Sequence, residues 1–261
     1  MAVQARRAGV VVCLLGVLAA CGGDGGAGST TSTTAPGTTA TTVATTVTAT
    51  LPTTATTSAP DDAHPSWGVG WAALWPPDGS TATVRATSDE GTVDARIGVD
   101  YGVAWDEGTW DRIWLGSPDH GSLGVSFYLQ RPEPWVLRLW GAETYGAGGF
   151  VITERFDPPV TLDLRLAPGE GLRQDTTVVI STPDGVVDEG PYSLSLTVVG
   201  FEAVDVAAGR FEDTARVHLV AAEPGGLVAE TDLWLAQGAF LVRLEPAHIW
   251  RSLELVSPWS G

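Results

Sequence analysis

The feature that most constrains this chain is alternation with a period of two. From Phe211 onward, Phe211, Ala215, Val217, Leu219 and Ala221 fall on one face, and Glu212, Thr214, Arg216 and His218 on the other. Successive side chains of a strand point to opposite sides, so this is the pattern of a strand with one dry face. The stretch Gly200 to Glu245 reads as a meander. Ala208-Gly209 supplies a turn before that strand, Pro224-Gly225-Gly226 a looser one after it, and Gln237-Gly238 a tight two-residue turn between Trp234 and Leu241. Gly209 and Gly238 are the structural turn residues.

The same period recurs upstream. Val93, Ala95, Ile97 and Val99 form one row, Leu123, Val125, Phe127 and Leu129 another, and Trp135, Leu137 and Leu139 a third. Val160, Leu162, Leu164 and Leu166, then Val178 and Ile180, then Tyr192, Leu194, Leu196 and Val198 continue it, and Ile249, Leu253 and Leu255 suggest a closing strand. Trp67, Trp71, Leu74 and Trp75 have helical spacing, but Gly68, Gly70 and Pro76-Pro77 break it, leaving a short aromatic segment against the sheet. About ten strands without a long helix predict an all-β fold, a curled antiparallel sheet closing as a half-barrel or flattened barrel.

Residues 1–20 carry Arg6 and Arg7 ahead of an apolar run of about a dozen residues, the layout of a secretory signal and too short to span a bilayer. Leu18-Ala19-Ala20-Cys21-Gly22 resembles the lipobox of bacterial lipoproteins. The resemblance implies a diacylglycerol on Cys21, a membrane anchor, and an extracytoplasmic location. Residues 21–62 hold the lipidated cysteine and a Thr-, Ala- and Pro-rich tract that cannot bury enough surface to offset chain entropy. As a disordered tether its root-mean-square span is about 35 Å. Residues 63–261 form a single β domain. Its cysteine-free sequence excludes disulfide and thiolate chemistry. Losing Arg6 and Arg7 takes the formal charge from −17 to −19, which argues against nucleic acid as a partner.

The second half is similar to a pattern in uncharacterised secreted bacterial proteins. The matching stretches are Pro158-Pro159-Val160 to Pro168-Gly169, the G-x-F hairpin Val206-Ala207-Ala208-Gly209-Arg210-Phe211, and the W-x-A-x-G stretch Trp234 to Arg243. Gln237 stands where proline is usual and Phe240 where a second glycine is usual. Such domains resemble, more distantly, the half-barrels of periplasmic lipoprotein carriers, whose concave face holds acyl chains. The resemblance implies no catalytic residue.

Catalytic and metal signatures are sparse. His64, His120, His218 and His248 share no ligand spacing, no G-x-S-x-G occurs, and a phosphate loop is impossible without lysine. Neither a metal nor a cofactor is expected. Asp106, Glu107 and Asp111, and Asp184, Asp188 and Glu189, read as solvated loop acids. The remaining candidates for ligand binding are Trp105, Trp110, Trp114, Trp135 and Trp140, which either fill the core or form a flat platform for sugar rings. The expectation is a non-enzymatic envelope protein holding an apolar or amphipathic ligand in the sheet concavity. The alternatives are a module using the tryptophans to bind cell-wall polysaccharide, or a protein-interaction module.

Overall fold

The computed structural model describes residues 74–89, 91–116, 124–133, 136–146, 150–163, 165–222, 228–245 and 251–261. The leader, Cys21, the tether, Trp67, Trp71, Trp135, the turn Pro224-Gly225-Gly226, and His64, His120 and His248 lie outside them. The described residues form twelve strands: β1 Thr81–Ser88, β2 Gly91–Trp105, β3 Gly108–Leu115, β4 Gly124–Glu133, β5 Val136–Tyr145, β6 Val151–Asp163, β7 Gly171–Thr182, β8 Gly185–Val206, β9 Gly209–Ala222, β10 Val228–Ala236, β11 Phe240–Glu245 and β12 Ser252–Leu255. Each pairs antiparallel with the next, and β12 pairs with β1 from Ser252↔Thr87 to Leu255↔Val84. The sheet is therefore a closed meander barrel rather than an open half-barrel. Closure removes the two unpaired edges that an open sheet of this size would expose.

Two strands go beyond the alternation pattern. β1 places only Ala82, Val84 and Ala86 on its buried face, too little apolar bulk to stand out in the sequence. β3 carries Trp110, Ile113, Trp114 and Leu115 and is buried on both faces toward its end, so its alternation is lost. Asp111 accordingly lies within a strand, paired to Arg131 at 2.7 Å, rather than in a solvated loop. β6 begins at Val151, well before the Val160 row.

The core lies inside the barrel. Val84, Ile97, Val99, Leu129, Leu139, Phe156, Val178, Leu194, Leu196, Val217, Leu244 and Leu253 are all buried there. Each such leucine or valine contributes roughly 1.5–3 kcal/mol. Leu74 and Trp75 join this core at one end, where Trp75 stacks on Phe240 with centroids 4.8 Å apart and planes 8° off parallel. Arg131 lies over the same Trp75 ring, and the Tyr101 hydroxyl donates to the Pro76 carbonyl at 2.6 Å. The aromatic segment before the sheet thus packs its described end into the barrel.

The turn between β10 and β11 has three residues, Gln237 to Ala239, not two. Gly238 takes φ +70°, and Phe240 itself takes φ 54°. A phenylalanine in this left-handed region is strained by about 1–3 kcal/mol, and the Trp75 stack helps hold it there. Gly209, at φ +134°, follows the two-residue turn Ala207-Ala208.

Candidate functional site

The register defines which side chains line the interior. One cross-strand row runs Val99↔Ile113↔Phe127↔Ala142↔Glu154↔Ile180 through β2 to β7. Five members are apolar and Glu154 is not. It is 1% exposed, the one buried charged residue on the interior face among the described residues. Ile152 and Phe156 flank it along β6, and the Phe156 ring lies 5.1 Å from that of Tyr192. Thr144, across β5 and one pleat away, is also buried, and its hydroxyl has no hydrogen-bond partner. The sequence carried a signal for this site: a glutamate in phase with Ile152 and Phe156 puts a carboxyl on the dry face of a strand.

The wall between β6 and β7 is uneven. Backbone pairing runs from Thr153↔Ser181 to Asp157↔Thr177. Beyond it, side chains join the two strands: the Thr176 hydroxyl donates to the Pro158 carbonyl, while Gln174 donates to the Pro159 carbonyl and accepts from the Thr161 amide, both at 2.7 Å.

The tryptophan group lies on the opposite face of the sheet, outside the barrel. Trp105 pairs with Gly108 at the tip of the β2–β3 hairpin, and that tip folds over β4 and β5. There the Trp105 ring stacks on Tyr128 with centroids 4.2 Å apart and planes 5° off parallel, and its Nε1–H donates to Glu143 Oε1 at 2.9 Å. Asp106, the next residue, forms an ion pair with Arg155 on β6. The other Glu143 oxygen accepts from the Tyr128 hydroxyl at 2.7 Å and from the Tyr145 hydroxyl at 3.0 Å. Gly141 provides the room, since a Cβ there would stand 2.5 Å from Trp105 and 2.3 Å from the Glu154 carbonyl oxygen. Burial, with the hydrogen bonds to Tyr145 and Glu143, pushes the Tyr128 phenol far above its ordinary range. Burial also raises that of Tyr145.

The other tryptophans close around this hairpin. Trp110 meets Trp105 edge-on, donates to the Trp105 carbonyl at 2.8 Å, and leans against Trp140 at an interplanar angle of 49°. Trp140 in turn donates to Gln130 Oε1 at 3.1 Å. Trp114 is buried over Gly98, where a Cβ would come within 2.2 Å of its ring. Trp105 and Trp114 are buried, Trp110 and Trp140 half-buried, and the Trp110 and Trp140 rings are not coplanar. The arrangement staples a hairpin to a sheet. Glu143, Tyr128 and Tyr145, which make it work, left no alternating trace, because β5 is buried on both faces from Gly141 to Tyr145.

A second outer cluster involves the W-x-A-x-G tryptophan. Trp234 lies between the guanidiniums of Arg216 and Arg243, 5.3 and 5.4 Å from its ring, and donates to Glu202 Oε1 at 2.5 Å. Asp232 accepts from Arg216 at 2.5 Å and meets His218 Nδ1 at 2.8 Å. Partial burial works to raise the Asp232 carboxyl, but these two bonds outweigh it and hold the group below the usual carboxylate range. His218 is thus engaged in a salt-bridged row on the strand surface. Among the described residues no three His, Cys, Asp or Glu side chains gather as a metal site.

No family model and no curated protein matches this chain. Among solved structures it is similar to a Bacteroides fragilis NCTC 9343 protein provisionally described as exported and having a YmcC-like fold, at 13% identity and a TM-score of 0.42, over 71% of this chain and 97% of that one. It is also similar to a protein of Parabacteroides distasonis ATCC 8503 provisionally described as a lipoprotein, at 10% identity and a TM-score of 0.37, over 70% of this chain and 97% of that one. Neither likeness transfers a residue role or a ligand.

Proposed function

We propose that this is a non-enzymatic, lipid-anchored protein of the extracytoplasmic membrane face, whose barrel holds an apolar or amphipathic envelope ligand. One observation carries the reading: a closed ring of twelve strands lined on its interior face by aliphatic rows. Eight strands already enclose a space that side chains fill or that takes one small ligand, and diameter grows with strand number. Several inward positions here are small, including Ala82, Ala86, Ala95, Ala215 and Ala221. Such a wall suits a flexible hydrocarbon better than a rigid polar solute.

The polysaccharide reading needs flat, accessible indoles. Two of the four described candidates are buried and the other two are tilted against each other, so the barrel interior is the better-supported site.

Native mass spectrometry and solvent extraction of the exported chain carrying Cys21→Ser are expected to recover a co-purifying apolar molecule. Protein that carries none, and that fails to bind a fluorescent fatty acid at micromolar concentration, would overturn the ligand reading. The anchor is tested separately. Cells fed a palmitate analogue should label the wild-type chain, and Cys21→Ser should lose label and membrane association together; a mutant that stays labelled would remove the anchor from this account.

A further inference from the structure

We propose that the free end of the β7–β8 hairpin is a docking surface for an amphipathic, positively charged segment of another protein. Among the described residues six large apolar side chains are exposed, and five of them, Val93, Phe150, Val186, Val187 and Val228, lie at or next to the starts of β2, β6, β8 and β10. Neighbouring strands run antiparallel, so these four strands all begin at the end of the barrel away from Trp75 and Phe240. Apolar side chains scattered singly mean little, whereas a concentration at one end marks a contact surface. Val186 and Val187 are the most exposed, at 64% and 60%. Phe150 immediately precedes β6, and the antiparallel step from Thr153↔Ser181 carries it toward the Pro183-Asp184 turn of the same hairpin. Strand propensity does not require valine here. Outward positions elsewhere hold threonine, as at Thr83, Thr87, Thr153 and Thr177, which suits a strand equally and offers water a hydroxyl.

The backbone and the charges narrow what can dock. The pairing of β8 with β9 begins at Ser193↔Ala222, so residues 185–192 are paired through β7 alone. A bare strand edge invites an added strand, but this one is blunted. Pro191 has no N–H, Asp188 Oδ1 accepts from the Glu189 N–H at 2.9 Å, and a bulge shifts the register between Ile180 and Ser181. Recognition therefore falls to the side chains. Asp184, Asp188 and Glu189 are exposed around the two valines, and among the described residues none of the three has an arginine partner. Exposed acids elsewhere do: Asp94 pairs with Arg85, Asp89 with Arg251, Asp175 with Arg173, and Asp205 and Glu212 share Arg210. A second copy would set like charge against like, and an anionic membrane surface would be repelled in the same way. A polypeptide with basic residues around an apolar face complements both features.

Three labelled helical peptides separate the apolar feature from the charged one: leucine with lysine, leucine with glutamate, and serine with lysine. By fluorescence anisotropy, the exported Cys21→Ser chain is expected to bind the leucine-lysine peptide at least about tenfold tighter than either of the others. Val186→Thr combined with Val187→Thr should weaken that binding about tenfold. Asp184→Asn, Asp188→Asn and Glu189→Gln together should weaken it by a similar factor and flatten its salt dependence. All five positions are exposed, so both variants should melt as the wild type does; were one to melt early, the other decides. Failure of the leucine-lysine peptide to bind at micromolar concentration, or binding that either folded variant leaves unchanged, overturns the proposal. A dimer in sedimentation that the valine variant dissolves gives the surface to a second copy instead, and flotation with phosphatidylcholine vesicles that the same variant abolishes gives it to lipid; each result overturns the protein partner.

Discussion

Replacing Glu143 by alanine is expected to lower the stability of the barrel by about 3–5 kcal/mol, because one buried carboxyl is the acceptor for three donors. The Trp105 indole N–H and the Tyr128 and Tyr145 hydroxyls all end on it, and all four residues are buried. An unsatisfied buried donor costs about 1–3 kcal/mol, and relaxation of the hairpin tip recovers part of the sum. In a domain of this size, 1 kcal/mol corresponds to about 2–4 °C, so Tm should fall by roughly 6–20 °C. Glu143→Gln keeps one acceptor and should lose less. Trp105→Phe, which keeps the stack on Tyr128 and removes a single donor, should lose least. A calorimetric melt of Glu143→Ala within about 1 kcal/mol of wild type would show that water replaces the carboxyl and that the hairpin is held by packing alone.

The same cluster predicts a steep alkaline limit. Burial is the first cause of the raised phenol of Tyr128 and also of Tyr145. A phenol raised in the fold stays neutral while the unfolded chain ionises near pH 10, so its stabilisation is complete below that point and is lost as pH rises toward the folded value. Each such tyrosine removes about 1.4 kcal/mol per pH unit, and two acting together about 2.7. Stability to denaturant should therefore vary little from tyrosine ionisation through neutral pH and fall sharply above about pH 10. Tyr128→Phe should shallow the slope by half, since a phenyl ring keeps the Trp105 stack and has no proton to lose. A slope identical in Tyr128→Phe would assign the alkaline transition to other groups. Asp232 acts at the opposite limit: its carboxyl is held low, so its smaller, partly screened contribution is present above about pH 4 and lost as pH falls further.

How well the fold could be read depended on which faces are wet. β8 and β9 alternate buried and half-exposed residues from Tyr192 to Val198 and from Ala215 to Ala221, so their apolar rows showed directly in the residue order. From Ile113 to Leu115 and from Gly141 to Tyr145 both faces are covered, the inner by the barrel core and the outer by the Trp114 ring on Gly98 in the first case and by the folded tip of the β2–β3 hairpin in the second, and the pattern vanishes. The tryptophans show the same limit. Their concentration between Trp105 and Trp140 was plain, yet neither a filled core nor a flat platform describes a hairpin stapled to the outside of the sheet.

Two kinds of information thus contributed to this protein. The residue order alone determined the all-β class, the meander and the turns at Gly209 and Gly238, because strand periodicity and left-handed glycine are local properties of the backbone. Only the tertiary structure decided that β12 returns to β1, that Glu143 gathers Trp105, Tyr128 and Tyr145, and that Glu154 is sealed in an apolar row. Each of these joins residues of separate strands, Ser252 with Thr87, Trp105 with Glu143, and Phe127 and Ile180 with Glu154 through Ala142 and the ladder. Such contacts depend on shear and closure around the whole ring, which no short window of sequence encodes.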